Sequence, residues 1–195
     1  MISGLTCESQ FERAGRATPL TVRKAAMRDI APLLELINGY AARGIMLPRT
    51  EFELSENMRD FSVVYAGDKL AGCGALHFYS PLVGEIRSLV VAEEAKIQGI
   101  GRLLVEHLVG EAQSFDLAAV FAFTYVPDFF QKVSFQPVER GELPLKAWKD
   151  CMRCPKFQAC DEVAVVRVLD ASRWALQSAL PASDPFVLFP KLKSA

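Results

Sequence analysis

The residues of this chain best suited to chemistry lie between Gly84 and Leu104, in GEIRSLVVAEEAKIQGIGRLL. The apolar run Ile86 to Val91 reads as a strand, and a short polar loop leads from it to Gly99 and Gly101 at the start of an amphipathic helix. The first amides of a helix have no intrahelical acceptor and sit at the positive end of its dipole. A glycine loop at that point makes a place for an anion, so a phosphorylated ligand is expected. Two phosphate loops are excluded by residue type. A Walker A loop needs Lys and then Ser or Thr after its last Gly, whereas Arg102 and Leu103 follow Gly101. A dinucleotide fingerprint needs its Gly-x-Gly-x-x-Gly directly after the strand, whereas here residues intervene and the third Gly is missing.

Other reactive side chains say less. Cys151, Cys154 and Cys160 lie close together, but a structural zinc site wants a fourth ligand, and neither His77 nor His107 is a sequence neighbour. They are read as free thiols in a packed loop, with no metal. Five cysteines cannot all pair, which fits a reducing compartment. His77 reads as a satisfied core or rim histidine rather than a base, and His107 as a helix-surface residue.

The elements that must position these groups follow from periodicity. Leu20 to Lys24 reads as a short strand, and Asp29 as the cap of a helix through Tyr40, with Ile30, Leu33, Leu34 and Ile37 on one stripe. Thr50-Glu51-Phe52-Glu53 is a capping box, predicting a second helix that ends near Asp60. Phe61 to Tyr65 and Leu70 to Tyr79 form a hairpin around Gly67-Asp68-Lys69, and Ser80 to Gly84 is a loop. The glycine-loop helix runs to about Ser114, with Leu103, Leu104, Leu108 and Val109 facing the core. Ala118 to Thr124 is so apolar that it should be buried on both faces. A short helix, Asp128 to Lys132, for whose first turn Pro127 is suited, a strand at Phe135 to Val138, a helical turn or two in Leu145 to Cys151 and a last strand at Glu162 to Leu169 complete the pattern.

A chain of 195 residues, 51% of them hydrophobic, supports one domain with a real core. That domain spans residues 21–169, between a lead-in at 1–20 and an extension at 170–195 whose apolar end, PFVLFP, packs on the domain or on a second subunit. A net charge of −1 leaves no footprint for nucleic acid. With no signal-peptide core and no membrane-span-length apolar run, a cytoplasmic protein without a membrane partner is expected.

Lys96-Ile97-Gln98-Gly99-Ile100-Gly101 resembles the acetyl-CoA signature of the GCN5-related N-acetyltransferases: Arg or Gln, two residues, Gly, one residue, then Gly or Ala. Lys96 departs from the usual Arg or Gln, keeping the charge but not the planar fork. Phe129-Phe130-Gln131-Lys132-Val133-Ser134-Phe135 resembles the family's second signature, Tyr-x-Lys-x-Gly-Phe, with Phe130 for Tyr and Ser134 for Gly. The resemblance covers roughly residues 21 to 169, within the size of one domain. It implies an α/β (α+β) fold with a mixed central sheet of about six to seven strands flanked by helices on both faces. Gly72-Cys73-Gly74-Ala75-Leu76-His77, Gly84-Glu85-Ile86-Arg87-Ser88-Leu89, and Phe123-Thr124-Tyr125 followed by Asp128-Phe129-Phe130 narrow it to the short bacterial N-acetylglutamate synthases. These lack the amino-acid-kinase domain, so feedback by arginine through that domain is expected to be absent.

The resemblance implies acetyl transfer from acetyl-CoA to the α-amine of L-glutamate, the first step of arginine biosynthesis, in a homodimer. Such an amine must lose a proton before it attacks. Glu85, where the family places its catalytic glutamate, is the expected base; without the match it would read as a solvated strand end. Thr124 and Tyr125 are equal candidates for the proton donor to the departing thiolate, or they merely finish a strand. Backbone edges at Leu89, Val90 and Val91 are expected to hold the pantetheine arm, and the loop Lys96, Ile97, Gln98, Gly99, Ile100, Gly101 and Arg102 the pyrophosphate, with Phe130 and Lys132 also on the cofactor side. Two substrate carboxylates call for guanidinium groups, for which Arg49 and Arg87, then Arg23, are the candidates, with Ser88 beside them. Each arginine could instead form a surface ion pair. An acetyltransferase for another small amine, or an acetyl-CoA-binding sensor without turnover, are the alternatives.

Overall fold

The computed structural model of the protein describes residues 20–139, 143, 151 and 154–179. Among the described residues there are seven strands, β1 (Leu20–Lys24), β2 (Phe61–Ala66), β3 (Lys69–Phe78), β4 (Val83–Val91), β5 (Ala119–Thr124), β6 (Gln136–Pro137) and β7 (Val163–Val168). They form one sheet in the order β1-β2-β3-β4-β5-β7-β6. Every neighbouring pair is antiparallel except β4 and β5, which run parallel. The helices are α1 (Ile30–Ala41), α2 (Glu51–Glu56), α3 (Ile100–Ser114), α4 (Pro127–Gln131) and α5 (Ala171–Ala179). Among the described residues no helix is long and apolar enough to cross a membrane. This is the mixed, helix-flanked sheet that the family resemblance implies.

One face of the sheet is covered by α3, whose Val105, Leu108 and Val109 pack on Leu76, Ile86 and Val120. Gly72 permits the close fit: a Cβ there would stand 3.0 Å from both the Ile100 side chain and the Val90 carbonyl. On the other face α1 and α2 set Leu33, Ile37 and Leu54 against Val63, Cys73 and Ala75. The β5–β7 end of that face is packed by Tyr79, Val83, Phe121, Leu143 and Val166, with Trp174 of α5 against them. Each fully buried Leu, Ile or Phe contributes roughly 1.5–3 kcal/mol, so these three clusters hold the sheet between its layers. The unbroken apolar run of β5 is thereby explained, since both of its faces meet side chains.

Several expectations are revised. The capping box forms as read: Thr50 N–H donates to Glu53 Oε2 at 2.9 Å and Glu53 N–H to Thr50 Oγ1 at 3.2 Å. However, α2 stops at Glu56 and a separate 3-10 turn, Met58–Asp60, precedes β2. Asp29 precedes α1 without capping it through its side chain. Its carboxylate turns back to accept from Ala26 N–H at 2.8 Å and from Arg23, because a guanidinium offers a stronger bond than a helix amide. β4 begins at Val83, inside the expected loop. His107 is half-buried on α3 rather than on its surface, and burial lowers its pKa. Helix α5 was hidden in the extension, although Asp170 caps it by accepting from the N–H groups of Ser172 and Arg173 at 3.0 and 3.1 Å. Residues 1–19 of the lead-in expected at 1–20, most of the Leu145 to Cys151 turn and the PFVLFP end lie outside the described residues.

Candidate active site

The site begins with a defect in β4. Cys73 pairs with Val90 and Ala75 with Arg87, so β4 spends one residue more than β3 over that interval. The surplus is taken up at Ser88, whose φ of +52° is left-handed, and a bulge of this kind bends and twists its strand. The parallel ladder between β4 and β5 accordingly runs only over Val83–Glu85 with Ala119–Phe121. Beyond Glu85 the two strands part. The β5-facing edge of β4 from Ile86 to Val91, including Leu89 and Val90, then borders an opening whose other wall is the end of β5. Tyr40 of α1 reaches this rim and donates its hydroxyl to the Val91 carbonyl at 2.6 Å.

At the mouth of the opening a 3-10 stretch, Glu93–Gln98, delivers the chain to Gly99 and then α3. The two glycines are needed for different reasons. Gly99 has φ +75°, a left-handed conformation that a side chain disfavours, with open space around it. Gly101 is ordinary helix, but a Cβ there would stand 3.2 Å from the ring of Phe129. Gly99, the N-cap, makes no side-chain cap bond, so the first amides of a helix of 15 residues, at Ile100, Gly101 and Arg102, are presented at its positive end. Lys96 bonds Glu93 at 2.7 Å, and Arg43 bonds the same carboxylate at 2.8 Å while its guanidinium stands 4.0 Å from the centre of the Tyr40 ring. Lys96 and then Arg43 hold the Glu93 carboxyl at about 2, so it is ionised at any ordinary pH. Arg102 and Lys132 are exposed. Phe130 is buried in the core, edge-on to Phe129 and Phe135, so it is Phe129 that lies against the glycine loop. No pattern in the sequence separates these two phenylalanines.

Glu85 stands at the last rung of the β4–β5 ladder, paired in register with His77 on one side and Phe121 on the other, and is 8% exposed. Arg87 is two residues on and shares its face. Its guanidinium lies 3.4 Å from Asn57 Oδ1 and 3.6 Å from Asp60 Oδ2, while His77 Nδ1 contacts the same Asp60 oxygen at 2.6 Å. Arg49, from the loop before α2, lines one small cleft together with Glu53, Leu54, Asn57, Phe61 and Arg87. Two of the three predicted arginines are thus brought to one place. Arg23 is not: on β1, three strands from β4, it makes a two-pronged bond to Asp29 at 2.7 and 2.8 Å.

Past the end of β5, the buried Thr124 uses its Oγ1 to accept from Val126 N–H at 3.0 Å. The Tyr125 hydroxyl accepts from Lys156 Nζ at 3.3 Å, and burial raises the phenol pKa. Of the three clustered cysteines, Cys151 has its thiol pushed up to about 11, by burial first and then by the Glu85 and Glu162 carboxylates. Cys154 N–H donates to the Cys151 carbonyl at 2.9 Å. Among the described residues no group of three His, Cys, Asp or Glu side chains is arranged to hold a metal.

A splayed parallel strand pair, a glycine loop at a helix N-terminus in its mouth and a buried carboxylate at its base suit a ligand with a long polar arm and a phosphate. Comparison with known proteins agrees. Residues 32–135 match the model of the acetyltransferase (GNAT) family. An uncharacterized N-acetyltransferase of Chlorobaculum tepidum is 39% identical over 153 residues, covering 78% of this chain and 99% of that one. An amino-acid acetyltransferase of Mycobacterium tuberculosis is 33% identical over 135 residues, 68% of this chain and 77% of the relative. The N-acetylglutamate synthase of Neisseria gonorrhoeae, solved with coenzyme A and N-acetyl-glutamate, superposes with a TM-score of 0.70 at 28% identity, over 77% of this chain and 35% of that one. The chain therefore belongs to the acetyltransferase (GNAT) family, and it is an N-acetyltransferase that uses acetyl-CoA.

Proposed function

We propose that this chain transfers the acetyl group of acetyl-CoA directly to the α-amine of L-glutamate, with Glu85 as general base. The observation that carries the reading is the cleft itself: Arg49 and Arg87, distant in sequence, line it together, on the β4 face that bears Glu85. A dicarboxylic amino acid needs such a pair of cations beside a base. The relatives named for amino-acid acetylation and N-acetylglutamate synthesis support the same acceptor. On this reading the chain is a cytosolic homodimer at the entry to arginine biosynthesis.

The residues fit the donor as well. The β5-facing edge at Leu89, Val90 and Val91 pairs with its pantetheine arm, and the amides of Ile97, Gln98, Gly99, Ile100, Gly101 and Arg102 cradle its pyrophosphate, with Lys96 and Lys132 toward its nucleotide end. Bound acetyl-CoA supplies the acyl group as a thioester, whose thiolate is a good leaving group. Glu85 removes a proton from the substrate ammonium, directly or through one water, and so frees the lone pair that attacks. Backbone N–H groups near Leu89–Val91 donate to the acyl oxygen as negative charge grows on it. Tyr125 or Thr124 returns a proton to the thiolate. Burial keeps the Tyr125 phenol protonated across neutral pH, as a donor requires. Arg49 and Arg87, with Ser88 at the bulge, face the acceptor carboxylates.

Thiol release from acetyl-CoA over a panel of amino acids tests this. L-Glutamate should be preferred over glutamine by about 100-fold or more in kcat/KM, because glutamine leaves a guanidinium unpaired. Glu85→Gln should lower kcat by about 100-fold while coenzyme A binding persists. Strong stimulation by another amine with none by glutamate sinks the acceptor, and full turnover in the Gln variant removes Glu85 from its role.

A further inference from the structure

We infer that Asn38, half-buried on α1, is a positioning residue for acceptor recognition, acting by clamping the backbone of Arg49. The inference rests on the reading above, in which Arg49 meets an acceptor carboxylate. Arg49 N–H donates to Asn38 Oδ1 at 2.9 Å, and Asn38 Nδ2 donates to the Arg49 carbonyl at 2.9 Å. One side chain thereby supplies both bonds that a neighbouring strand would make to that residue.

The clamp answers a physical need. Arg49 lies near the end of the segment 42–50, which joins α1 to α2 without a helix or strand. Holding each such backbone in one conformation costs roughly 1–2 kcal/mol, and a guanidinium reads a carboxylate well only from a fixed base. Two anchors flank the arginine: the Asn38 carboxamide, and the Thr50–Glu53 capping box that opens α2. The chemistry of the first is specific to Asn. Its planar amide carries a donor and an acceptor at this length, whereas Asp has two acceptors and Ala neither. Helix formation does not ask for it, since Asn in a helix costs roughly half a kcal/mol relative to Ala. Both side-chain bonds of Asn38 described above run to the Arg49 backbone, so its reach into the cleft runs through Arg49.

The test is steady-state kinetics on the full chain with acetyl-CoA and the panel amino acid giving the highest wild-type kcat/KM, comparing Asn38→Ala, Asn38→Asp, Arg49→Ala and the Asn38→Ala/Arg49→Ala double variant. Asn38→Ala should raise acceptor KM about tenfold and leave kcat and acetyl-CoA KM within about twofold, the signature of lost acceptor binding rather than lost fold. Asn38→Asp, which keeps the bond from Arg49 N–H, should fall between. The double variant should be no worse than Arg49→Ala, since the clamp has nothing left to aim. An unchanged acceptor KM in Asn38→Ala, an equal rise in both KM values, multiplying effects in the double variant, or a silent Arg49→Ala would each overturn the inference. Its fate is separable from that of the acceptor assignment. A wild type that prefers a non-glutamate amine, with Asn38→Ala still tracking Arg49→Ala, ends the glutamate reading alone. A glutamate-specific enzyme indifferent to Asn38→Ala ends the positioning role alone.

Discussion

Ser134 occupies a backbone position made for glycine. Its φ is +67°, in the turn where Phe135 N–H donates to the Phe130 carbonyl and Ser134 N–H to the Gln131 carbonyl, both at 3.0 Å. This pair of bonds is a Schellman closure, and the edge-on contact of Phe135 with Phe130 is the apolar contact that accompanies it. The second family signature thus reads physically as a helix-ending motif, with the aromatic residues as its packing and the glycine as its left-handed hinge. A serine there stores strain of about 1 kcal/mol. Ser134→Gly should relieve it, partly offset by a more flexible unfolded chain, and raise stability by about 0.5 kcal/mol, or roughly 1–2 °C in Tm. Thermal unfolding checks this, and a lower Tm would contradict the strain. Phe130, replacing the family's Tyr, is committed to the same closure, which leaves Thr124 and Tyr125 as the hydroxyl candidates past β5.

At the scale of elements, the opening between β4 and β5 is built from both of its ends. The Ser88 bulge turns β4 away, and α3 sets its N-terminus at the mouth because Gly72 lets the helix lie against β3. Short helix α4 then closes the cradle by laying Phe129 on Gly101. Gly101→Val should drive branched carbons into that ring and tilt α4 or the helix N-terminus. The expected result is an acetyl-CoA KM raised about tenfold with acceptor KM little changed, since the cradle and the arginine cleft lie on different elements. Phe129→Ala in the same chain should recover part of the loss by vacating the space. A Gly101→Val enzyme with normal acetyl-CoA KM would show that the close approach is packing without consequence for the cofactor.

At the scale of the whole molecule, the buried carboxylate of Asp29 ties separate elements together. Asp29 is 1% exposed and accepts from Arg23 twice, from Ala26 N–H and from the Tyr65 hydroxyl at 2.8 Å, joining β1 and β2 to the turn before α1. The Arg23 guanidinium foremost, with the amide and the phenol, holds its carboxyl well below the usual carboxylate range. A depressed folded pKa gives stability that is present above the unfolded value of about 4 and is lost as pH falls below it. Denaturant unfolding between pH 7 and pH 3 should show that loss. Asp29→Asn should be less stable at pH 7 by about 2–4 kcal/mol and show a shallower decline in acid. Equal slopes for the two proteins would remove Asp29 from the acid response. Arg23, a candidate for the acceptor by residue type, belongs to this structural pair.

Local chemistry accounts for what was legible beforehand. The glycine loop, the capping box at Thr50, the hairpin before β4 and the doubly buried β5 all follow from residue type and spacing, because backbone bonds and apolar periodicity act over a few residues. The family resemblance supplied Glu85 and the long-range order of the sheet. Tertiary structure alone decided the rest. Only packing could put Arg49 beside Arg87 while tying Arg23 to Asp29, choose Phe129 over Phe130 as the neighbour of Gly101, and turn Asn38 toward a loop. Each of these depends on contacts between segments far apart in the chain, where a side chain's partner is fixed by how sheet and helices stack and leaves no local pattern to read.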